Sequence, residues 1–389
     1  MAGSLVRINR WLTPFSWIYG FIVWVRNQLF ELGILKSRSF DTPVIAVGNI
    51  TVGGAGKTPH VEYLIRLLHD KVKVAVLSRG YKRKTHGFLL ADESTTVTDI
   101  GDEPYQMWKK YPDIFVAVDK NRCEGIDFLT DDGMAKGTDV VLLDDAFQHR
   151  YVKPGVNILL VDYHRQLNDD KLLPAGRLRE PKDGKARADM VIITKCPKDL
   201  KAIDYRVLTK TMSLYPYQDL FFTSLEYGQL YQVFGSQKAH LDTLKDKNVL
   251  LLTGIASPNQ MLMDLNPLCH SVTPLSYPDH HRFKSKDADK INHIFETMES
   301  PKIIVTTEKD ATRLECLDGL SQEVRDHIFA LPIEVKFMLG QEEMFNQKII
   351  SYVHKNSRNS ILAKGKDDHK SKNSNHTGNG SRTINFRYN

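Results

Sequence analysis

Paired cysteines are missing from this chain. Its four cysteines, Cys123, Cys196, Cys269 and Cys316, are scattered, and no two form a C-x-x-C pair. That spacing indicates neither a zinc ribbon nor a disulfide framework and suits a reducing compartment. A long hydrophobic run is missing too. The most apolar stretch, Leu12–Val25, covers fourteen residues, short of the ~20 that a bilayer-spanning helix needs, and Pro14 interrupts its start. It is followed by Arg-Asn-Gln-Leu-Phe rather than a small-residue cleavage site, so a signal peptide is not indicated. The body also lacks an excess of charge. The net charge is +6, but from His354 onward eight Lys/Arg face two Asp, which accounts for the whole surplus. A neutral body argues against a nucleic-acid groove.

What is present is an alternation of strands and helices. Apolar runs at Val44–Val47, Val72–Leu77, Ile114–Val118, Val140–Leu143, Val156–Val161 and Met190–Thr194 read as buried parallel strands. Helical stretches fall between them, one of them around Asn121–Leu129. This is the pattern of a doubly wound, mostly parallel α/β sheet. A second set follows, with a strand over Val249–Thr253, a helix starting at Pro258, a helix over Asp287–Met298 and a strand over Lys302–Thr306. At 389 residues the chain is long for one core. The expected division is an N-terminal helix in 1–35, a P-loop domain in 36–215, a smaller α/β domain in 216–353 and a disordered basic tail in 354–389. Asp204–Tyr231, with its aromatics and alternation, reads as a strand-built connection. The stretch Leu12–Val25 carries Trp17, Tyr19, Phe21 and Trp24 between Arg7, Arg10 and Arg26. Two readings stand for it: an interfacial helix that holds the protein on a membrane surface, or a helix buried on the core.

The densest chemical signal is Pro43-Val-Ile-Ala-Val-Gly-Asn-Ile-Thr-Val-Gly-Gly-Ala-Gly-Lys-Thr58. It reads as a strand, a glycine-rich turn and a helix opened by Lys57-Thr58, the layout of a P-loop. Thr51 stands where the full motif has its first glycine. Thr51, Val52, Gly53, Gly54, Ala55 and Gly56 would then curl their amides around phosphate, with the helix N-terminus adding to the field. Lys57 would reach the donor phosphates of ATP, and the Thr58 hydroxyl would serve Mg²⁺. The apolar run Val140–Leu143 ends in Asp144-Asp145, where such enzymes place a metal-binding aspartate. Further polar clusters follow strands at Ser78-Arg-Gly-Tyr-Lys82, Asp119-Lys-Asn-Arg122, Gln148-His-Arg150 and Asp162-Tyr-His-Arg165, with Gly101-Asp-Glu-Pro-Tyr105 in a loop. At one edge of a sheet they suit a large anionic substrate.

The set VGNITVGGAGKTP, LSRGYKR, GDEPYQM, DDAFQHR and LLPAGRLREP closely resembles the tetraacyldisaccharide 4'-kinase family, the lipid A 4'-kinases of Gram-negative envelope synthesis. The likeness runs from about Gly33 to Lys195 and resumes at Tyr277–Phe283 and Thr307–Asp310. The resemblance implies transfer of the ATP γ-phosphate to the 4'-hydroxyl of a tetraacylated glucosamine disaccharide 1-phosphate, at the cytoplasmic face of the inner membrane. No nucleic acid and no obligate protein partner is implied. By the family's pattern Asp102 is the base and His280 its partner. Asp145 and Thr58 would serve Mg²⁺, with Asp144 and Glu103 as secondary metal groups. Arg79, Arg122, Gln148, His149, Arg177 and Arg179 become candidates for contacts to the disaccharide and its phosphate. The cluster Asp279-His280-His281 also admits a metal site or a structural loop.

Two competing readings have residues of their own. Thr194-Lys195-Cys196-Pro197 is similar to the guanine-reading box of regulatory GTPases, but Pro197 stands where that box needs a carboxylate. A scaffold that merely kept the fold sits poorly with Lys57, Thr58, Asp102 and Asp145 all in place.

Overall fold

The structure is a computed structural model and describes residues 8–130, 135, 137–255 and 258–356. The larger sheet draws on β1 (Val44–Gly48), β2 (Val74–Ser78), β3 (Leu89–Leu90), β4 (Phe115–Val118) and β5 (Val140–Asp144). It continues with β6 (Val156–Asp162), β7 (Met190–Thr194) and β8 (Asp219–Tyr227). A second sheet holds β9 (Leu230–Gln232), β10 (Lys238–Ala239), β11 (Asn248–Thr253), β12 (Ser271–Ser276), β13 (Lys302–Thr307) and β14 (Ile328–Leu331). The chain then returns, and β15 (Ile333–Phe337) pairs antiparallel with β8.

The larger sheet runs β15-β8-β7-β6-β1-β5-β2-β4-β3, and only its two outermost pairs are antiparallel. Its central strands are buried on both faces, which is why they read as unbroken apolar runs rather than alternating ones. The strand β1 sits between β5 and β6, while its own successor β2 lies beyond β5. This reversal of order opens a crevice at the carboxyl ends of the strands. Register aligns those ends: Val47 sits beside Asp144, and Asp162 beside Thr194. Gly48 permits the close approach, since a Cβ there would lie 2.7 Å from the Cβ of Phe147.

The helices are α1 (Thr13–Glu31), α2 (Lys57–Leu68), α3 (Val97–Ile100), α4 (Asp102–Lys110), α5 (Arg122–Thr130) and α6 (Ala202–Met212). On the second sheet come α7 (Asn259–Leu265), α8 (Ser285–Thr297), α9 (Glu308–Leu314) and α10 (Gln322–His327). A further helix covers 342–356 and packs Phe345, Ile349 and Val353 into the core of the larger sheet beside Ile45 and Ile158. The expected unit 216–353 therefore needs correcting. Its first strand, its last strand and its closing helix belong to the larger sheet, leaving only 229–332 around the second. Asp204–Tyr231 is corrected as well, because its first part is the helix α6. The tail expected from 354 lies outside the described residues, except for 354–356, which are helical.

Helix α1 has its polarity reversed. Its inward side is small or polar up to Phe30, which is buried near the helix end. Ser16 donates its hydroxyl to the Leu172 carbonyl at 2.9 Å and accepts the Ala175 N–H at 2.9 Å. Tyr19 donates to the Arg179 carbonyl at 2.7 Å, and Gly20 lies against Leu172. Phe15, Trp17, Ile18, Phe21, Ile22 and Trp24 face outward, with Trp17 73% exposed. The reading of this segment as a helix buried on the core is thereby set aside. Among the described residues no helix is long and apolar enough to cross a membrane.

Two polar features tie the architecture together. Lys110, at the end of α4, donates to Glu62 of α2 at 2.6 Å and to Glu308 of α9 at 2.7 Å. Gln106 also donates to Glu62 at 2.7 Å. Burial and the neighbouring charge of Glu62 push the Glu308 carboxyl up to about 7, against the pull of Lys110. His60 of α2 bridges the Gly56 carbonyl at 2.7 Å and the Thr223 hydroxyl of β8 at 3.1 Å. Burial pushes its ring down to about 4, and the hydrogen bond to Gly56 only partly opposes this.

Replacing Lys110 with Met leaves the buried Glu308 without its cation and Glu62 with Arg66 alone, at 3.9 Å. Urea denaturation at neutral pH is expected to show a loss of about 3–5 kcal/mol. For His60 the sign follows from a depressed folded-state value. The folded ring stays neutral while the unfolded ring takes up a proton, so this contribution is complete above pH 6.5 and is lost as pH falls toward 4. The loss on reaching the acid end is about 3 kcal/mol. Denaturant midpoints measured at pH 7 and pH 4.5 should therefore fall less in His60→Gln than in the unaltered protein.

Candidate active site

The glycine turn leaves β1 at Gly48 and ends at Gly56, whose φ of 79° is left-handed and directs the chain into α2. Asn49 is buried under the turn. Its amide nitrogen lies 3.3 Å from the Thr51 hydroxyl, and its oxygen accepts from Lys57 Nζ at 3.4 Å. The turn is braced from outside. Val52 N–H donates to the Arg177 carbonyl at 2.7 Å, the Thr194 hydroxyl donates to the Ala55 carbonyl at 3.0 Å, and Lys195 binds the Gly54 carbonyl. Lys195 also pairs with Asp162 at 2.8 Å. The residues of the GTPase-like box thus support the turn.

Lys57 lies folded toward the strand ends, 3.5 Å from Asp145. Arg179 holds the same carboxylate at 3.2 Å. Burial would raise the Asp145 carboxyl, but Lys57 and Arg179 outweigh it and hold it below the usual range. Asp145 itself has φ 49°, an uncommon backbone for a residue with a side chain. Asp144 behaves in the opposite way. Burial first, then the charges of Glu103 and Asp145, push it up to about 7 despite Lys57 and the Ser78 hydroxyl at 3.2 Å. The N-terminus of α4 packs against the loop after β2, where a Cβ on Gly101 would lie 2.9 Å from the Tyr81 carbonyl oxygen.

Several buried polar atoms here have no hydrogen-bond partner among the described residues: Asp144 Oδ1, Asp119 Oδ2, Arg122 Nε and His149 Nε2. Arg122 is buried, and that burial pushes its guanidinium down to about 10 although Asp144, Asp145 and Asp119 pull it up. His149 is pushed down to about 4 by burial and by Arg122, Arg26 and Arg79. Orphaned buried polar atoms are rare in folded proteins, and four in one electrostatic neighbourhood mark a region built for a polar ligand. Among the described residues no three His, Cys, Asp or Glu side chains form a ready metal cage.

Asp102 opens α4 behind Gly101, and His280 reaches it from the loop after β12. His280 Nδ1 lies 2.8 Å from Asp102 Oδ2. Burial opposes ionisation of Asp102, but Arg313 and His280 outweigh it and hold the carboxyl below its usual range. His280 takes φ 60° and its ring meets that of Tyr81 at 5.6 Å. His281 points elsewhere, to Asp287 at 3.0 Å, so the two histidines do not share a ligand position. Glu103 is paired with Lys309.

The remaining candidates differ in availability. Arg79 is exposed near the crevice. Gln148 is engaged with the Asn49 carbonyl at 2.7 Å and with Glu180 at 3.0 Å, so it braces the loop below the glycine turn. Arg177 is half-buried, and its backbone is held by Asp170 at 3.0 Å. Arg313, Lys309 and Asn49 were missed in the sequence. Asn49 directly follows the strand, and Arg313 stands three residues after Asp310, a helical spacing that could have drawn attention to it.

Comparison with known proteins identifies the family. The family model described as tetraacyldisaccharide-1-P 4'-kinase matches residues 8–354. The tetraacyldisaccharide 4'-kinase of Phocaeicola vulgatus is 56% identical over 363 residues, covering 92% of this chain and 99% of that protein. Its counterpart in Bacteroides thetaiotaomicron is 52% identical over 381 residues, covering 95% of this chain and 100% of that one. A crystal structure of LpxK from Aquifex aeolicus in complex with ATP is similar at a TM-score of 0.67 and 32% identity, over 88% of this chain and 98% of that one. With a family match across nearly its whole length and relatives this similar, the chain belongs to the tetraacyldisaccharide 4'-kinase family.

Proposed function

We propose that this chain transfers the γ-phosphoryl group of ATP to the 4'-hydroxyl of a tetraacylated glucosamine disaccharide 1-phosphate, a step of lipid A assembly at the cytoplasmic face of the inner membrane. The observation that carries the reading is the meeting of two groups at one sheet edge. Lys57, at the start of α2, reaches Asp145 at the end of β5, and the Asp102–His280 pair stands at the N-terminus of α4, which packs at Gly101 against the loop after β2. The relatives' name and the ATP bound to the solved relative support it.

Phosphoryl transfer depends on position and charge neutralisation. The amides of Thr51, Gly53, Gly54 and Gly56 cradle the donor phosphates, Val52 and Ala55 shape the turn through their N–H bonds to the Arg177 and Gly53 carbonyls, and Lys57 leaves Asp145 to neutralise the phosphates. Asp102 accepts the proton of the attacking 4'-hydroxyl, and the His280 Nδ1–H orients it. Arg79, Arg122, His149 and Arg179 supply positive charge and donors for the disaccharide and its phosphate, with Gln148 and Arg177 supporting their loops. The metal candidates Thr58, Asp144, Asp145 and Glu103 offer only hard oxygen donors, and the unpartnered Asp144 Oδ1 fits Mg²⁺, which takes one or two carboxylates plus phosphate oxygens and waters. When bound, the ion would offset the negative charge of the donor phosphates. We take the larger sheet and the 229–332 unit as two bodies, with the acceptor hydroxyl meeting the donor between them. The outward aromatics of α1 lie on the membrane surface, beside the loops that α1 grips.

The direct test offers labelled ATP, Mg²⁺ and detergent-dispersed disaccharide 1-phosphate and looks for a bisphosphorylated lipid. Absence of that product would overturn the reading. In the same assay Asp102→Asn is expected to lower kcat by about 10²–10⁴-fold with ATP affinity nearly unchanged. A loss of ATP binding instead would move Asp102 to the nucleotide site. For the membrane contact, Trp17→Ser with Phe21→Ser is expected to cut flotation with anionic liposomes by about tenfold or more and to leave the melting temperature near that of the unaltered protein.

A further inference from the structure

Arg313 lies on α9 with its side chain 6% exposed. One arm of its guanidinium is fixed within the second body: Nη1 donates to Asp310 Oδ1 at 2.9 Å and to the Gly254 carbonyl at 3.3 Å. Asp310 is fully buried and fixed in turn, since its Oδ2 accepts the Gly254 N–H at 2.9 Å and the Thr307 hydroxyl at 2.7 Å. The other arm crosses to α4, where Nη2 donates to Asp102 Oδ2 at 2.5 Å. His280 Nδ1–H donates to that same oxygen at 2.8 Å. Nη2 and Nδ1 are 3.3 Å apart. With Asp102 ionised both are donors, so they converge on one acceptor rather than bonding to each other. Among the described residues no hydrogen bond reaches Asp102 Oδ1.

We infer that Arg313 is a positioning residue for the transfer: by occupying Oδ2 of Asp102 together with His280, it leaves Oδ1 as the oxygen aimed at the acceptor hydroxyl. The inference rests on the proposed role of Asp102 as base. A carboxylate held by one donor can rotate about its Cβ–Cγ bond and exchange its oxygens. Two donors on one oxygen, one of them anchored to a fixed Asp310, remove that freedom and keep the other oxygen's lone pairs unspent. A tie whose task was only to join the two bodies would be met by a bond to either oxygen. Arginine suits the position because its planar fork reaches Asp310 and Asp102 at once, which the single nitrogen of lysine cannot do.

The experiment compares Arg313→Lys, Arg313→Ala and Asp102→Asn in the full chain, with ATP, Mg²⁺ and the disaccharide 1-phosphate in detergent micelles. Arg313→Lys keeps a cation in the buried position. It is expected to melt near the unaltered protein, to lose about 10–100-fold in kcat, and to keep the KM for both substrates. Arg313→Ala is expected to regain part of its lost kcat with millimolar guanidinium and not with sodium chloride of equal ionic strength. Where Arg313→Ala does not fold, Arg313→Lys decides. If Arg313→Lys turns over normally, or loses only substrate affinity, while Asp102→Asn is inactive, the positioning role is overturned and the base assignment stands. If Asp102→Asn itself turns over normally, the base assignment falls and takes the positioning role with it.

Discussion

The second sheet is tethered to the first at two adjacent points, and the rest of the arrangement depends on that constraint. The strand β8 passes into β9 through Gly228-Gln229, and β14 passes into β15 through Pro332 alone. The two connectors touch, with the Gly228 N–H donating to the Pro332 carbonyl at 2.9 Å. Beyond this point side chains take over. The buried Glu62–Lys110–Glu308 group and the Arg313–Asp102 bond join α4 to α9. Buried ionic contacts of this kind hold only in good geometry, so they favour a few defined orientations of the second sheet over a continuum.

Much of the larger sheet was legible because its strands are buried on both faces and therefore appear as plain apolar runs. Met190–Thr194 was read at both ends, and the glycine turn fell where strand and helix demanded it. Other elements gave no such signal. The edge strand β12 contains Pro274, tolerated because β12 pairs on one side only, with β11. The antiparallel β8–β15 pair joins residues more than a hundred positions apart, and no local pattern announces such a partner.

The site was legible in a similar, uneven way. Lys57, Thr58 and Asp145 follow from motif and strand end. The meeting of Asp102 with His280 rested on family likeness, because nothing local in either segment points to the other. Arg313 escaped because the Thr307–Asp310 run looked complete without it, and its partner Asp102 is remote in sequence. Gln148, a candidate for contact to the disaccharide, is engaged with the Asn49 carbonyl below the turn, and Lys195, from the GTPase-like box, holds the turn at the Gly54 carbonyl.

The doubled connector carries a consequence for descent. Because β8 and β15 are neighbours, the intervening hundred or so residues form an insertion whose two ends meet. In the proposed scheme the insertion brings His280 and Arg313, whereas the glycine turn and paired aspartates belong to the parent sheet. Selection could thus remodel the portion that greets the alcohol while leaving the nucleotide machinery untouched, a modular route to new acceptors from one ancestral sheet.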